Sequence, residues 1–413
     1  MSSELALTTA APRTARLSRT AAFGAAAATF ASLYLAAGAP TPLLVVYQRQ
    51  WGFPEWVLTV AFAAYAGGLL AALLVVGSLS DRLGRRPVIT VALIVEVVAM
   101  LMFFGANGIG WVIAARVVQG IATGAATSAF SAWIVELAPE SRKRLGALLA
   151  SLAPAAGLGL GALLTGTAVQ LSAHASQIVF ATLALIMVFG AVAAALAPET
   201  AVRERFMWRS LVPRIAVPNA AKREFLAAIP VHLATWMLAG LFFGLVPTVL
   251  GAVFNLHSGI VSGVTTFVEP AAATVAGYLL GRFVPRRSVL VGTAALAVGS
   301  ALITLGIAQG DYVLLIGGGA VAGVGFGTSF SGALRGVLPL ARPDERAGLS
   351  AAVYVVAYLS FGVPAVIAGE FVTAFGLLPV AVGYAVAIVL AAAIGFVAQW
   401  RLARASALVA RTA

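Results

Sequence analysis

Twelve long apolar runs follow one another along this chain and constrain its fold more than any other feature. A run of about 20 apolar residues is long enough to cross the hydrocarbon core of a membrane as an α-helix. Because 61% of the 413 residues are hydrophobic and only 10% are charged, the chain has too little polar surface for a water-soluble globule. We therefore predict an all-α membrane protein with twelve transmembrane helices at residues 21–46, 56–78, 88–105, 109–134, 146–168, 177–197, 225–250, 258–281, 289–308, 312–334, 348–372 and 377–400.

The longest polar interval in the chain falls between the sixth and seventh runs. It contains the basic stretch RERFMWRSLVPR and is predicted to be a solvated linker. The predicted organisation is a tail at 1–20, a six-helix bundle at 21–197, the linker at 198–224, a second six-helix bundle at 225–400 and a tail at 401–413.

The basic residues are distributed unevenly between the intervals that separate the runs. Nearly all of the 26 lysines and arginines lie in the two tails and in every second interval, and the other intervals hold only Arg49. Loops rich in lysine and arginine stay in the cytoplasm, so both termini are predicted to be cytoplasmic in a multi-pass protein of the cell membrane. The net charge of +12 then reflects topology, and no nucleic-acid partner is expected.

The chain offers few residues for metal or covalent chemistry. It has no cysteine and three histidines, with no HExxH motif or carboxylate cluster beside them. Metal sites, catalytic triads and cofactors are therefore not expected. We predict that the protein is not an enzyme, and that it works as a monomer in the lipid bilayer.

The two halves of the chain share short sequence matches in the same order. GSLSDRLGRR from Gly77 lines up with GYLLGRFVPRR from Gly277, and QGIATG around Gly120 lines up with AGVGFG around Gly323. Internal repetition at half the chain length is typical of transporters that are built from repeats, with the binding site between them.

The turn between the second and third runs has the pattern Gly-x-Leu-x-Asp-Arg-x-Gly-Arg-Arg. In this pattern and its position the chain resembles the major facilitator superfamily, and the resemblance extends over nearly its full length. It implies two pseudo-symmetric six-helix halves that rock to expose a substrate to alternate sides of the membrane. It also implies that the turn is a conformational latch, with the residues Gly77, Asp81, Arg82, Gly84, Arg85, Arg86 and Glu136.

The chemistry of the turn is compatible with a latch. Gly84 permits a tight reversal of the chain, and Asp81 lies at a helix C-terminus, where the helix dipole disfavours an anion. The resemblance implies that Asp81 contacts the start of the eleventh span, near Gly348. The arginines of the turn can pair with Glu136 or Glu140, or they can be simple anchors on the cytoplasmic side.

A second motif, Arg-x-x-Gln-Gly, lies inside the fourth run and contains Arg116 and Gln119. A cation within the membrane is costly and usually faces a cavity or a partner. The resemblance associates this arginine with proton coupling and substrate handling. The alternative is that Arg116 lies near the outer interface and extends its side chain towards it.

Three further ionisable residues lie near the middle of apolar runs. Glu269, followed by Pro270 in the eighth run, is the first candidate for a proton carrier, since carboxyls within membranes commonly act in proton relays. His232 in the seventh run can relay protons or be satisfied by a neighbour. For Glu96 the resemblance places the third helix at the periphery, so a hydrogen-bonded packing role is preferred over proton coupling.

Aromatic residues are candidates for lining a substrate cavity, which the resemblance places between the first, fourth, seventh and tenth spans. They are Phe30, Tyr34, Trp236, Phe243, Phe326 and Phe330. Aromatic walls suit flat or apolar molecules better than sugars. Each of these residues can alternatively be a packing residue.

These features predict a secondary active transporter, and the leading interpretation is proton-coupled efflux of a small hydrophobic molecule. The fifth run is similar to the superfamily's antiporter motif at Pro154 and Gly157, but Ala153 and Leu158 stand where glycines are expected. Proton-coupled uptake or facilitated diffusion of a metabolite therefore stays open. A membrane sensor without transport is the alternative from another class.

Overall fold

A computed structural model of the chain describes residues 17–76, 79–201, 215–281 and 283–412. Twelve of its helices are long and apolar enough to cross a membrane, which confirms the twelve predicted spans and the all-α class. We label these helices α1 to α12. They occupy Arg19–Trp51, Glu55–Val76, Arg85–Phe104, Ile109–Leu137, Glu140–Leu171, Ala175–Leu196, Asn219–Ala252, Gly259–Leu280, Pro285–Gln309, Tyr312–Leu340, Arg346–Phe375 and Leu377–Ala405.

Two of the helices are irregular, and several are longer than the apolar runs predict. α1 is interrupted at Ala39, between the segments Arg19–Gly38 and Pro40–Trp51. α7 contains a π-helical segment at Leu241–Leu245. Hydropathy marks only the part of a helix within the hydrocarbon, while backbone hydrogen bonding continues into the polar flanks. For this reason α7 already begins at Asn219, inside the interval predicted as linker.

The two halves repeat the same packing arrangement. In the first half α3 packs against α4 and α6, and α1 packs against α4, α5 and α6. In the second half α9 packs against α10 and α12, and α7 packs against α10, α11 and α12. The main contacts between the halves, α5 with α8 and α2 with α11, are related in the same way. The predicted pseudo-symmetry of two six-helix halves is thereby confirmed.

Glycines at the repeated sequence positions explain why the same helices approach each other in both halves. Gly120 of α4 lies so close to the carbonyl group of Tyr65 in α2 that a Cβ atom would overlap it. Gly323 of α10 meets the carbonyl group of Glu269 in α8 in the same way. Small residues let helix backbones pack closely in a membrane protein. Tyr65 and Glu269 therefore occupy equivalent places in the two halves.

The even number of spans puts both ends of the chain on one side of the protein, which we call the terminal side. The α2–α3 turn and the interval between α6 and α7 lie on this side, and the helix that contains α12 extends there to Thr412. We call the opposite side, with the loops α1–α2, α5–α6 and α7–α8, the distal side.

Candidate functional site

The interruption in α1 leaves a backbone carbonyl group without its helical partner. In an α-helix the carbonyl of residue i accepts from the N–H of residue i+4, and proline has no N–H. Pro40 therefore cannot bond the carbonyl of Ala36. Gln119 Nε2 of α4 donates to this carbonyl instead, at 2.9 Å, and Arg116 Nη1 donates to the next carbonyl, Ala37 O, at 3.0 Å.

Arg116 is packed inside the protein with only 2% of its surface exposed, so its side chain does not extend outwards from the helices. Its Nη1 also donates to Gln119 Oε1 at 2.7 Å, and its Nε donates to Ala61 O at 3.4 Å. The guanidinium carbon lies 4.4 Å from the ring centroid of Tyr65, within the range of a cation–π contact. Arg116 thus links α4 to α1 and α2.

Glu96 joins the same cluster from α3. Its side chain is fully buried, and Glu96 Oε1 accepts a hydrogen bond from Gln119 Nε2 at 3.3 Å. The second carboxyl oxygen has no hydrogen-bond partner among the described residues. Glu96, Gln119 and Arg116 therefore form one buried network, which we call the α4 network. The sequence analysis preferred a hydrogen-bonded packing role for Glu96, and the buried, hydrogen-bonded side chain is compatible with that role. The structure adds that its hydrogen-bond partner, Gln119, also bonds Arg116.

Glu269 lies apart from the α4 network. It is 2% exposed, and no hydrogen bond to it is seen within the described part of the chain. The ring of Pro270, the next residue, lies against Gly159 of α5 in the other half. Glu269 is therefore at the level where the two halves meet.

His232 is also buried in α7, and its two ring nitrogens have no hydrogen-bond partner among the described residues. Its ring meets Phe330 edge-on, with 5.4 Å between the centroids. The structure does not place His232 in the α4 network.

The aromatic candidates separate into two groups. Trp236, Phe326 and Phe330 are half-buried and touch one another, with centroids 5.7 to 6.0 Å apart, and Trp236 also lies 4.9 Å from Tyr358 of α11. These residues form a cluster between α7, α10 and α11. Tyr34 of α1 bonds Thr127 of α4, with 3.0 Å between the hydroxyl oxygens.

The other two aromatic candidates are buried packing residues. Phe30 is fully buried and stacks on Phe130 at 5.3 Å, inside the first half. Phe243 is buried in the π-helical segment of α7. Their side chains fill helix interfaces, so the residue type alone did not indicate which aromatic candidates are buried and which are half-buried.

The predicted latch turn is built around the start of α3. Gly84 has φ of 104°, a conformation that favours glycine. Arg85 forms an ion pair with Glu136 of α4 at 3.2 Å, and its Nη1 donates to Ser80 Oγ at 2.8 Å. Glu140, the other proposed partner, pairs instead with Lys143.

Three further members of the predicted latch are less fully described. Arg82 lies with Asp81 in a short helix, Leu79–Leu83. Arg86 lies in the first turn of α3. Gly77 and the side chain of Asp81 fall outside the described part of the structure.

Glu199, which the sequence analysis did not single out, caps this turn. Its carboxylate accepts hydrogen bonds from the backbone N–H groups of Arg85, at 2.9 Å, and Arg86, at 3.2 Å. These groups have no helical partners at the start of α3, and an anion there is favoured by the helix dipole. Thr200 beside it donates to Glu136. The segment after α6 is thus hydrogen-bonded to the turn. In the sequence, the only indication of this contact was the acidic residue that follows Pro198.

The start of α11, where the resemblance places the partner of Asp81, is in contact with the linker. The backbone N–H of Ala216 donates to the carbonyl of Gly348 at 3.3 Å. Just before this helix, Arg342 and Glu345 form an ion pair at 3.0 Å, and the hydrogen bond from Arg342 holds the pKa of Glu345 below its ordinary value.

The halves are closed against each other on the distal side. Gly166 of α5 meets the backbone of Gly259 and Gly263 in α8 without room for a side chain. Thr59 of α2 meets Gly369 of α11 equally closely. A substrate bound between the halves therefore has no passage at these two contacts in this conformation.

Twelve membrane-length helices in two repeated halves, with buried ionisable groups in each half, define a secondary transporter. Residues 25–268 match the family model of the Major Facilitator Superfamily, and the protein belongs to this superfamily. Its members are transporters, not enzymes, and they carry small molecules by alternating access. The predictions of the family, of a multi-pass membrane transporter and of a small-molecule substrate are therefore confirmed.

Individual relatives add detail to this assignment. The chain is 36% identical over 76 residues to Multidrug resistance protein MdtL of Klebsiella pneumoniae (strain 342), a match that covers 18% of this chain and 19% of that protein. The chain thus aligns with about a fifth of that relative.

Three solved structures share the fold and each match covers 92% of this chain. A bacterial homolog of the human lysosomal transporter Spinster, in an inward-facing and unoccupied conformation, has a TM-score of 0.70 with 14% identity and 97% of its chain covered. The nucleoside transporter NupG has a TM-score of 0.68 with 13% identity and 99% covered. The human organic anion transporter MFSD10 (TETRAN) has a TM-score of 0.65 with 16% identity and 100% covered. At these identities the likeness shows the fold alone.

Proposed function

We propose that this protein is a proton-coupled exporter of a small hydrophobic molecule, acting as a monomer in the cell membrane with both termini in the cytoplasm. The observation that carries the proposal is the α4 network, because it joins a buried carboxyl group, through Gln119, to the interrupted part of α1. The similarity to a protein named for multidrug resistance favours export over uptake. The basic residues of the terminal side favour its cytoplasmic location.

The α4 network has two hydrogen-bonding arrangements, depending on the proton. An ionised Glu96 accepts from Gln119 and attracts Arg116, as the observed geometry allows. A protonated Glu96 can donate to Gln119 Oε1, which then accepts from two donors, and it no longer attracts Arg116 as an anion. Gln119 and Arg116 also donate hydrogen bonds to carbonyl groups of α1. Protonation of Glu96 therefore changes the strength of these hydrogen bonds at the interruption of α1.

Glu269 is the second proton-binding candidate in this proposal. Its neighbour Pro270 lies against Gly159 of the other half, so the surroundings of Glu269 change when the halves move. A carboxyl that is neutral in a dry interface and ionised in a wet one can link proton release to the change of access. His232 and Arg116 are further candidates for the proton path.

The proposed substrate site is the aromatic cluster of Trp236, Phe326, Phe330 and Tyr358, with Tyr34 facing it from the first half. Aromatic rings bury large apolar area and present flat faces. This surface favours a planar or apolar molecule.

Transport in proteoliposomes with an imposed pH gradient tests the proposal, using a panel of labelled planar aromatic compounds. We expect the wild-type protein to move a compound against its gradient in the direction opposite to proton flow. Glu96→Gln and Glu269→Gln keep the size and hydrogen-bonding capacity of the side chain but cannot titrate. We expect each variant to equilibrate substrate downhill but to lose accumulation driven by the pH gradient.

Glu140→Gln is the matched control, because Glu140 is an exposed carboxylate on the terminal side, and we expect it to transport as the wild type does. Accumulation by both Glu96→Gln and Glu269→Gln at the wild-type level would refute the proposed proton sites. Movement of substrate and protons in the same direction would instead establish uptake.

A further inference from the structure

A hydrogen bond between two exposed side chains joins the halves on the distal side. Arg49, at the end of α1, lies with its Nη2 2.9 Å from Nδ1 of His257 in the α7–α8 loop. The two residues belong to different halves, so the bond exists only while their distal ends are together. Arg49 is the single lysine or arginine in the distal intervals of the sequence.

The geometry specifies the protonation state of His257. A guanidinium group can only donate hydrogen bonds, so Nδ1 of His257 must accept and carries no proton. The other ring nitrogen, Nε2, lies 3.1 Å from Asn255 Oδ1, an acceptor, and therefore carries the proton. The imidazole in this contact is neutral.

The backbone around the pair holds it in place. Asn255 has φ of 55°, a left-handed conformation that asparagine tolerates, and the turn it makes directs its side chain to His257. Gly251 lies beneath the pair, and a Cβ atom there would be 3.3 Å from His257 Nδ1 and 3.5 Å from Arg49 Nη2. A side chain at this position would be tight against His257 and in ordinary contact with Arg49.

The groups of neighbouring elements that form hydrogen bonds beside the Arg49–His257 pair are uncharged. Beside the pair, Gln170 of α5 accepts hydrogen bonds from Ser258 Oγ and from the N–H of Gly259, both at 3.0 Å. This second contact also crosses between the halves, but none of its groups titrates near neutral pH. Arg49 is the charged group that the described residues bring into hydrogen-bond contact with His257.

We infer that Arg49 and His257 form a proton-sensitive gate on the distal side. Neutral His257 accepts from Arg49 and holds the halves together. Protonated His257 presents an N–H to the guanidinium and adds a like charge beside it, so the contact is lost and the distal side opens. Histidine is suited to this role because its charge changes between about pH 5 and 8. The gate acts on alternating access itself, whatever the substrate or the direction of transport.

Distance measurement between two spin labels tests the gate in the full-length protein. The labels are attached to Asn107→Cys, in the α3–α4 loop, and Gln309→Cys, at the distal end of α9, both exposed and in a chain without other cysteines. We expect a short distance at about pH 8 and a longer one at about pH 5. Acidification should lower the ratio of short to long populations about threefold or more, the size expected for losing one such hydrogen bond.

Three further variants separate the gate from a general acid effect. His257→Gln can still accept from Arg49 but cannot titrate, so it should keep the short distance at both pH values. Arg49→Leu removes the donor and should give the longer distance at both. His174→Gln removes another exposed distal histidine and should keep the full pH response.

The short distance of His257→Gln at pH 8 also reports that this variant is folded. Failure of the wild type to open in acid would overturn the gate. So would a full acid response in His257→Gln.

Discussion

The side-chain nitrogen of Gln119 lies 2.9 Å from the carbonyl oxygen of Ala36, which Pro40 leaves without its helical donor. A residue of α4 thus replaces a backbone hydrogen bond that a proline removed from α1. The same Gln119 bonds Glu96 and Arg116. The break in α1 is therefore connected to two ionisable side chains through one amide group.

Replacement of Gln119 by leucine should destabilise the protein. The change leaves Ala36 O and Glu96 Oε1 without these hydrogen bonds in the interior, at a cost of about 1–3 kcal/mol for each unsatisfied group. We expect a lower midpoint of thermal unfolding in detergent. Gln399→Leu is the matched control, since Gln399 is also buried but no hydrogen bond to its side chain is seen among the described residues. Equal unfolding midpoints for the two variants would contradict this role of Gln119.

Removal of the Glu199 cap should weaken the start of α3. Glu199→Ala deprives the N–H groups of Arg85 and Arg86 of their acceptor, and loss of a helix cap costs about 0.5–2 kcal/mol. Thermal unfolding measures the loss. Glu140→Ala removes an exposed ion pair on the same side, which is worth about 0–1 kcal/mol, so its effect should be smaller. A larger loss of thermal stability in Glu140→Ala than in Glu199→Ala would show that the Glu199 cap does not stabilise this turn.

Addition of one methyl group at Gly166 should favour opening of the distal side. A Cβ atom there overlaps the backbone of Gly259, and relieving such a clash typically costs about 1–3 kcal/mol. Spin labels at Asn107→Cys and Gln309→Cys should report a larger share of the longer distance. Gly317→Ala, where a Cβ atom meets nothing within 4 Å, should leave the distribution unchanged. If Gly166→Ala kept the short distance, the overlap between α5 and α8 would be relieved without opening of the distal side, contrary to this prediction.

Labelling of single cysteines tests the proposed orientation. Because basic loops resist translocation, a membrane-impermeant reagent outside intact cells should label Asn107→Cys. It should reach Asn219→Cys, at the start of α7, only after the cells are opened. Labelling of Asn219→Cys from outside would invert the proposed topology.

Local composition was sufficient to predict the architecture of this protein. An apolar run of membrane length forms a helix in lipid because its backbone has no other hydrogen-bond partners there. The number of spans and the all-α class follow from that rule alone, and the repeated glycines at Gly120 and Gly323 predict the equivalence of the halves. The turn around Gly84 and the motif at Arg116 indicate the family because their residues are adjacent in the chain.

Only the tertiary structure decided which polar groups act together. Glu96 and Gln119 lie on different helices, and their contact depends on the rotation of α3 about its own axis, which a nearly uniform apolar surface does not specify. The same limit applies to Arg49 and His257, which are separated by 208 positions in sequence and meet only when the halves close. Hydropathy is a property of single segments, whereas these contacts depend on how segments pack. The sequence by itself therefore determined the spans, and helix packing determined the site and the gate.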